Sequence, residues 1–227
     1  MFEHAGTLVV GAVFGLALAA PPGPMNAIIA EESVLRGWFP GVTAGLGAMA
    51  ADALFCALAL VGAVAVLDEW GAIRPLLYLA GGALMCYFAV GAVRGAREAT
   101  AAGAADASGV ATGFRKTFLL SVTNPYQIGF WMTVGVGLLR PGRLDVFSHV
   151  PVVDGPLAGS LVVETGSPAL LAGFFGGIGL WVLAYPAALV GAGRRVDAVA
   201  PLVAGASAAV LAGFGVLFLA IGGAQVL

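Results

Sequence analysis

The sequence predicts an all-α membrane protein of six transmembrane helices, arranged as a 3+3 inverted repeat with a broken first helix in each half. Three observations carry that expectation. Hydrophobic residues make up 60% of the 227 and charged residues 10%, where a soluble domain carries about a quarter charged residues. Six apolar runs each reach or approach the ~20 residues that a hydrocarbon core of ~30 Å requires. Finally, the first run of each set of three is interrupted by proline beside asparagine, at Pro-Gly-Pro-Met-Asn (22–26) and Thr-Asn-Pro-Tyr-Gln (123–127).

The first run covers residues 7–30. It carries Glu3 where a signal peptide has basic residues, and the helical pattern continues past its prolines, so it reads as a retained span. The second covers 41–67 and the third 73–93. Residues 94–116, rich in Ala, Gly, Thr and Ser, read as an exposed flexible loop. The fourth run, 117–139, contains Asn124-Pro125. Residues 140–168 are punctuated by Pro-Gly, Asp-Gly-Pro and Gly-Ser-Pro turns and read as a surface loop. The fifth run is 169–191, with Tyr185-Pro186 inside it, and the sixth 201–222. The whole chain, 1–227, is one integral membrane domain, with half one at about 1–95 and half two at about 116–227. Three spans per half give the halves opposite orientations, the inverted plan of many transporters.

Lysine and arginine set the expected orientation. Arg36, Arg94, Arg97, Arg115, Lys116, Arg194 and Arg195 fall on one side; Arg74, Arg140 and Arg143 fall on the other. The first side is expected to be cytoplasmic, which puts the protein in the cell membrane, multi-pass, with both termini outside.

Several function classes drop out. A net charge of −2 gives no cationic patch for nucleic acid. Cys56 and Cys86 lie inside apolar runs, away from the breaks, so they form neither a disulfide framework nor a metal-ligand spacing. A membrane thiol–disulfide relay is poorly supported for the same reason. His4 and His149 lie outside the runs, leaving Ser121 and Ser207 no histidine base for an intramembrane hydrolase. The chain is therefore expected not to be an enzyme and to need no cofactor or resident metal. Gly37, Gly41 and Gly45, and again Gly91 and Gly95, repeat a small-xxx-small pattern that marks helix contacts. Those contacts are either within the chain or between copies, so a homo-oligomer stays open.

What remains is transport. Hydrocarbon cannot satisfy free backbone groups, so a broken helix survives only where protein or a wet cavity covers the break. Corresponding broken helices in two halves point to a binding site near the midplane. The helix-break residues are Pro22, Gly23, Pro24 and Pro125. Asn26 and Asn124 are paired polar groups from the two breaks, and Tyr126 and Gln127 follow the second. Asp52 lies about eleven residues into the second run, roughly 16 Å deep at 1.5 Å per residue. A charged Asp there costs on the order of 2.5–3.5 kcal/mol, so it needs a partner, a cavity or a proton. Asn26, Asp52, Asn124, Tyr126 and Gln127 are the expected substrate-binding set, with Asp52 also the coupling group. Glu31 and Glu32 are secondary candidates at a cytoplasmic mouth. Trp131 is a weaker candidate, since tryptophan is common at interfaces and in packing.

These residues carry a resemblance. From Pro22 the sequence resembles the lysine exporter (LysE/RhtB) family of amino-acid translocators: Gly23-Pro24-Met25-Asn26, then Gly41, Gly45 and Gly47 leading to Asp52, then Asn124-Pro125. Each motif is short, and their order and spacing carry the weight. Two features depart from the family. Many members place lysine after Asn-Pro where Tyr126 and Gln127 stand here, and the connection from the fourth to the fifth run is long. The resemblance implies export of an amino acid or related small zwitterion, driven by the proton gradient or membrane potential. The superfamily also includes metal-ion exporters, so a divalent cation is the alternative cargo. That cargo needs several oxygen ligands, and Asp52 is the one clearly deep carboxylate.

Overall fold

A computed structural model describes residues 2–21, 23–62, 73–101, 110–145, 162–193 and 199–226. Nine helices and a two-stranded ladder fall within them: α1 (Phe2–Ala19), α2 (Pro24–Arg36), α3 (Trp38–Leu60), α4 (Ile73–Ala101), α5 (Val110–Val122), α6 (Pro125–Phe130), α7 (Val136–Leu139), β1 (Gly142–Asp145), β2 (Val162–Thr165), α8 (Pro168–Gly193) and α9 (Val199–Val226). A π-helical turn, Trp131–Gly135, joins α6 to α7. Pro22, expected in the first break, and Arg194 and Arg195, expected to set topology, lie outside the described residues.

The chain is a helical multi-pass membrane protein. Three helices among the described residues are long and apolar enough to cross a bilayer: α3, α8, and α9 over Gly205–Val226. A fourth span exists if Ala5–Ala19 and α2 count as one, although the chain turns by 84° between them. The apolar part of α4, Pro75–Gly91, is shorter. The first expected span is thus two helices at nearly a right angle. The stretch expected to be a flexible loop from 94 is helical as far as Ala101 and again from Val110. The 140–168 connection is ordered at its two ends, where β1 and β2 pair antiparallel from Gly142 opposite Thr165 to Asp145 opposite Val162.

Small residues decide how the helices meet. A Cβ at Gly11 would land on the backbone of α8 at Leu170, and one at Gly15 on the Phe174 carbonyl oxygen. Gly173 and Gly177 return the fit against Leu8 and Ala12 of α1. Contact positions rise together along both helices, so α1 and α8 run parallel. By the same reading α3 and α5 run parallel, Ala44 meeting Gly113 and Gly47 meeting Thr117, whose Oγ1 also donates to the Ala44 carbonyl at 2.6 Å. α4 and α9 run antiparallel, with Gly82 against Gly215 and Gly222 against Leu79. Close backbone approach through small residues is the usual packing device in a membrane, where no hydrophobic force separates protein from lipid. Gly41 and Gly45 of the small-xxx-small stretch face Ser33 and Val182, so these contacts lie within the chain.

α2 is the buried centre of the bundle. Ile28, Glu32 and Ser33 are almost inaccessible, and the helix meets α3, α5, α8 and α9. Its polar backbone is cross-linked to α9 by Ser207, whose Oγ donates to the Ala27 carbonyl at 2.8 Å. The turn from α2 into α3 takes one residue, Gly37 at φ 101°, a left-handed conformation that glycine adopts without a Cβ clash. The outward faces stay apolar, as at Phe39, Leu76, Leu202 and Val216, the pattern expected when lipid is the solvent.

Candidate functional site

Two breaks of matching design meet at one cavity. In the first, α1 ends at Ala19 and α2 restarts with Gly23 as its N-cap and Pro24 as its first residue. In the second, α5 ends at Val122 and α6 restarts with Asn124 as its N-cap and Pro125 as its first residue. Proline suits that position because its fixed φ is helical and its missing N–H would have no partner there anyway. Asn124 accepts from the Tyr126 N–H through its side-chain oxygen at 3.0 Å, capping α6. Gly23 offers α2 no side-chain cap.

Asn26, the third residue of α2, repairs the first break. Its Nδ2 donates to the Ala19 carbonyl at 2.7 Å and to the Pro21 carbonyl at 2.9 Å, two acceptors that the interruption strips of helical partners. Its Oδ1 accepts from Trp181 Nε1 of α8 at 3.1 Å. The Trp181 ring stacks on Tyr185, centroids 4.8 Å apart and planes within 12°.

Asp52 belongs to α3 and is 6% exposed. Its Oδ1 accepts from Gln127 Nε2 at 2.7 Å and from Trp131 Nε1 at 2.8 Å. Gln127 is the third residue of α6, the position Asn26 holds in α2. Trp131 is fully buried at the head of the π-helical turn. A Cβ at Gly135 would strike its ring, so the absence of a side chain there leaves room for the indole. π-turns widen a helix locally and are frequent at functional sites.

The cavity, of about 230 Å³, lies between these groups. Asn26, Asp52, Asn124, Tyr126, Gln127 and Trp181 all line it, with Met25, Met49 and Phe130 among its apolar walls. Gly23 and Pro24 line it too, whereas Pro125, which is partly buried, does not. The five residues expected to bind substrate therefore converge. Asp52 is the one acidic side chain among the described lining, and no lysine or arginine is there. Small residues on its own helix, Gly45 and Ala48, make the room.

Glu31 and Glu32 do not join this cavity. They were expected at an accessible mouth and are buried instead, at 5% and 1% exposure. Glu32 takes both nitrogen–oxygen contacts from Arg36 Nη1, at 2.7 and 3.0 Å, and Lys116 Nζ of α5 at 3.3 Å. Glu31 Oε2 has no hydrogen-bond partner among the described residues. Trp181 is the polar lining residue that sequence reasoning missed; its spacing one turn before Tyr185 was visible, but nothing in the sequence placed it opposite Asn26.

A family model for the LysE type translocator matches residues 16–149, more than half of the chain. The chain belongs to the LysE type translocator family. Two relatives are similar to this chain. One is "Uncharacterized membrane protein PA4757" of Pseudomonas aeruginosa, 34% identical over 60% of this chain and 64% of its own. The other is "Putative amino acid efflux protein YcgF" of Bacillus subtilis, 30% identical over 54% of this chain and 58% of its own. The matches thus span less than two thirds of either relative's length. No solved structure matches.

Proposed function

We propose that this translocator is a secondary exporter of an amino acid or related small zwitterion, working by alternating access and coupled to the proton gradient or membrane potential. The observation that carries the reading is the uncompensated carboxylate of Asp52 in the wall of a cavity built where two broken helices meet. At about 230 Å³ the cavity lies below the ~300–1,000 Å³ of drug-sized pockets, a size suited to a small solute. The efflux protein among the relatives supports the direction of transport.

The mechanism follows from the site. Gln127 and Trp131 hold Oδ1 from half two, so Asp52 bridges the halves. A substrate ammonium or a coupled proton reaching the other carboxylate oxygen neutralises the buried charge. Asn124, Tyr126 and Gln127 supply polar groups for the rest of the solute, and Asn26 holds the broken backbone in shape.

An inverted repeat of about 1–95 and 116–227 is supported by the helix pairs. Exchange of halves maps α1 onto α5, α3 onto α8 and α4 onto α9, so the parallel α1–α8 pair becomes the parallel α5–α3 pair. The α4–α9 pair maps onto itself. The same exchange maps Asn26 onto Gln127, and each is bonded by the second long helix of the other half, through Trp181 and Asp52. Both termini outside is the orientation the arginines favour.

Efflux of labelled amino acids from proteoliposomes, with and without a pH gradient, tests the proposal. Export of at least one amino acid that rises with the gradient is expected. If the labelled solutes stay inside while cadmium or manganese moves, the divalent-cation reading replaces it.

A further inference from the structure

We propose that the groove between α4 and α5 is a binding site for an anionic phospholipid, with the lipid phosphate held between Arg115 and Lys116. The groove, about 460 Å³, is larger than the cavity at the helix breaks and shares no lining residue with it. Tyr87 and Val90 of α4 face Thr112, Arg115, Lys116 and Leu119 of α5 across it.

The chemistry changes along α5 as a lipid does. Thr112 lies one turn before the two cations, and Leu119 one turn beyond them. A hydroxyl and two positive charges thus give way to an apolar wall, continued by Tyr87 and Val90. These walls are open, with Tyr87 71%, Val90 50% and Leu119 43% exposed. An acyl chain would cover them; a soluble anion would fill only the cationic end and leave them bare.

Of the two charges in the groove, that of Arg115 is not spent inside the protein, and Lys116 shares Glu32 with Arg36. Glu32 already receives Arg36 at 2.7 Å, and Lys116 stands off at 3.3 Å. Arg115 has no acidic partner among the described residues. Basic groups at the membrane surface attract anionic lipid headgroups, and Lys116 is placed to choose between a phosphate and Glu32.

The test uses delipidated, detergent-solubilised translocator titrated with phosphatidylglycerol, phosphatidylcholine of the same chains, or inorganic phosphate, read by native mass spectrometry and thermal melting. Phosphatidylglycerol is expected to bind about 25-fold more tightly than phosphatidylcholine, at about fivefold per basic side chain. Arg115→Gln is expected to cut that preference about fivefold. Val90→Trp, which fills the groove from an exposed position, is expected to abolish phosphatidylglycerol retention without lowering the melting temperature of the lipid-free protein. It decides the matter if Arg115→Gln fails to fold. Equal binding of the two lipids, or an undiminished preference in Arg115→Gln or Val90→Trp, overturns the proposal. Protection by inorganic phosphate equal to that by phosphatidylglycerol makes the site one for soluble anions and overturns it as well.

Discussion

Asp52→Asn separates the stability of this site from its function. The asparagine keeps an oxygen where Oδ1 accepts from Gln127 and Trp131 at 2.7 and 2.8 Å. Those bonds fall from charge-assisted to neutral strength, a loss of about 1 kcal/mol each. Against that, the cost of a charged Asp at membrane depth, on the order of 2.5–3.5 kcal/mol, disappears. The two nearly cancel, so the melting temperature in detergent should move by no more than a few degrees. Transport should not survive. A cation 4 Å from the carboxylate at an effective dielectric of 20 gains about 4 kcal/mol, worth roughly a thousandfold in affinity. Proteoliposomes carrying Asp52→Asn should therefore lose efflux by at least a hundredfold, whether the lost cation is substrate ammonium or proton. Efflux within threefold of the unmodified protein, with the gradient on or off, would refute the assignment of Asp52.

Other substitutions probe the frame around it. Gly15→Ala should destabilise the protein by about 1–3 kcal/mol, the cost of overpacking, because its Cβ meets the Phe174 carbonyl; Gly176→Ala, with open space around it, should be neutral in the same melts. Glu32→Gln should cost about 3 kcal/mol, since it leaves Arg36 and Lys116 without their shared carboxylate. Lys116→Met should cost less, because Arg36 keeps both oxygens; equal melting shifts for the two would contradict this hierarchy. Asn26→Leu frees the Ala19 and Pro21 carbonyls and the Trp181 N–H together, at about 1–3 kcal/mol for each orphaned group. Urea or thermal melts of purified protein should show it as the most destabilised of the cavity variants.

The breaks were legible because proline leaves a chemical mark: Pro24 and Pro125 remove N–H groups whatever surrounds them, and a neighbouring asparagine is the natural repair. Asp52 was legible because a carboxylate inside an apolar run has to be explained. What each amide does was less so. Asn26 spends its nitrogen on two carbonyls of its own break, and Asn124 caps a helix start, a role that Asn followed by Pro already hints at. The partner of Asp52 could not be read, because a glutamine and a tryptophan two and six residues past Pro125 meet it only after α3 and α5 pack in parallel. The same holds for Glu32, whose cation on α5 lies 84 positions away. A glutamate two turns from a break looks exposed until the helix carrying it is found at the centre of the bundle.

Lys116 is the only lysine in the chain, and its ammonium sits 3.3 Å from Glu32. Apart from the amino terminus, an amine-selective reagent therefore has a single target. Its rate of acylation would follow the fraction of molecules in which that contact is broken. A residue that chain composition made solitary thus becomes a built-in clock for the opening of one side of the bundle, readable without introducing any label site.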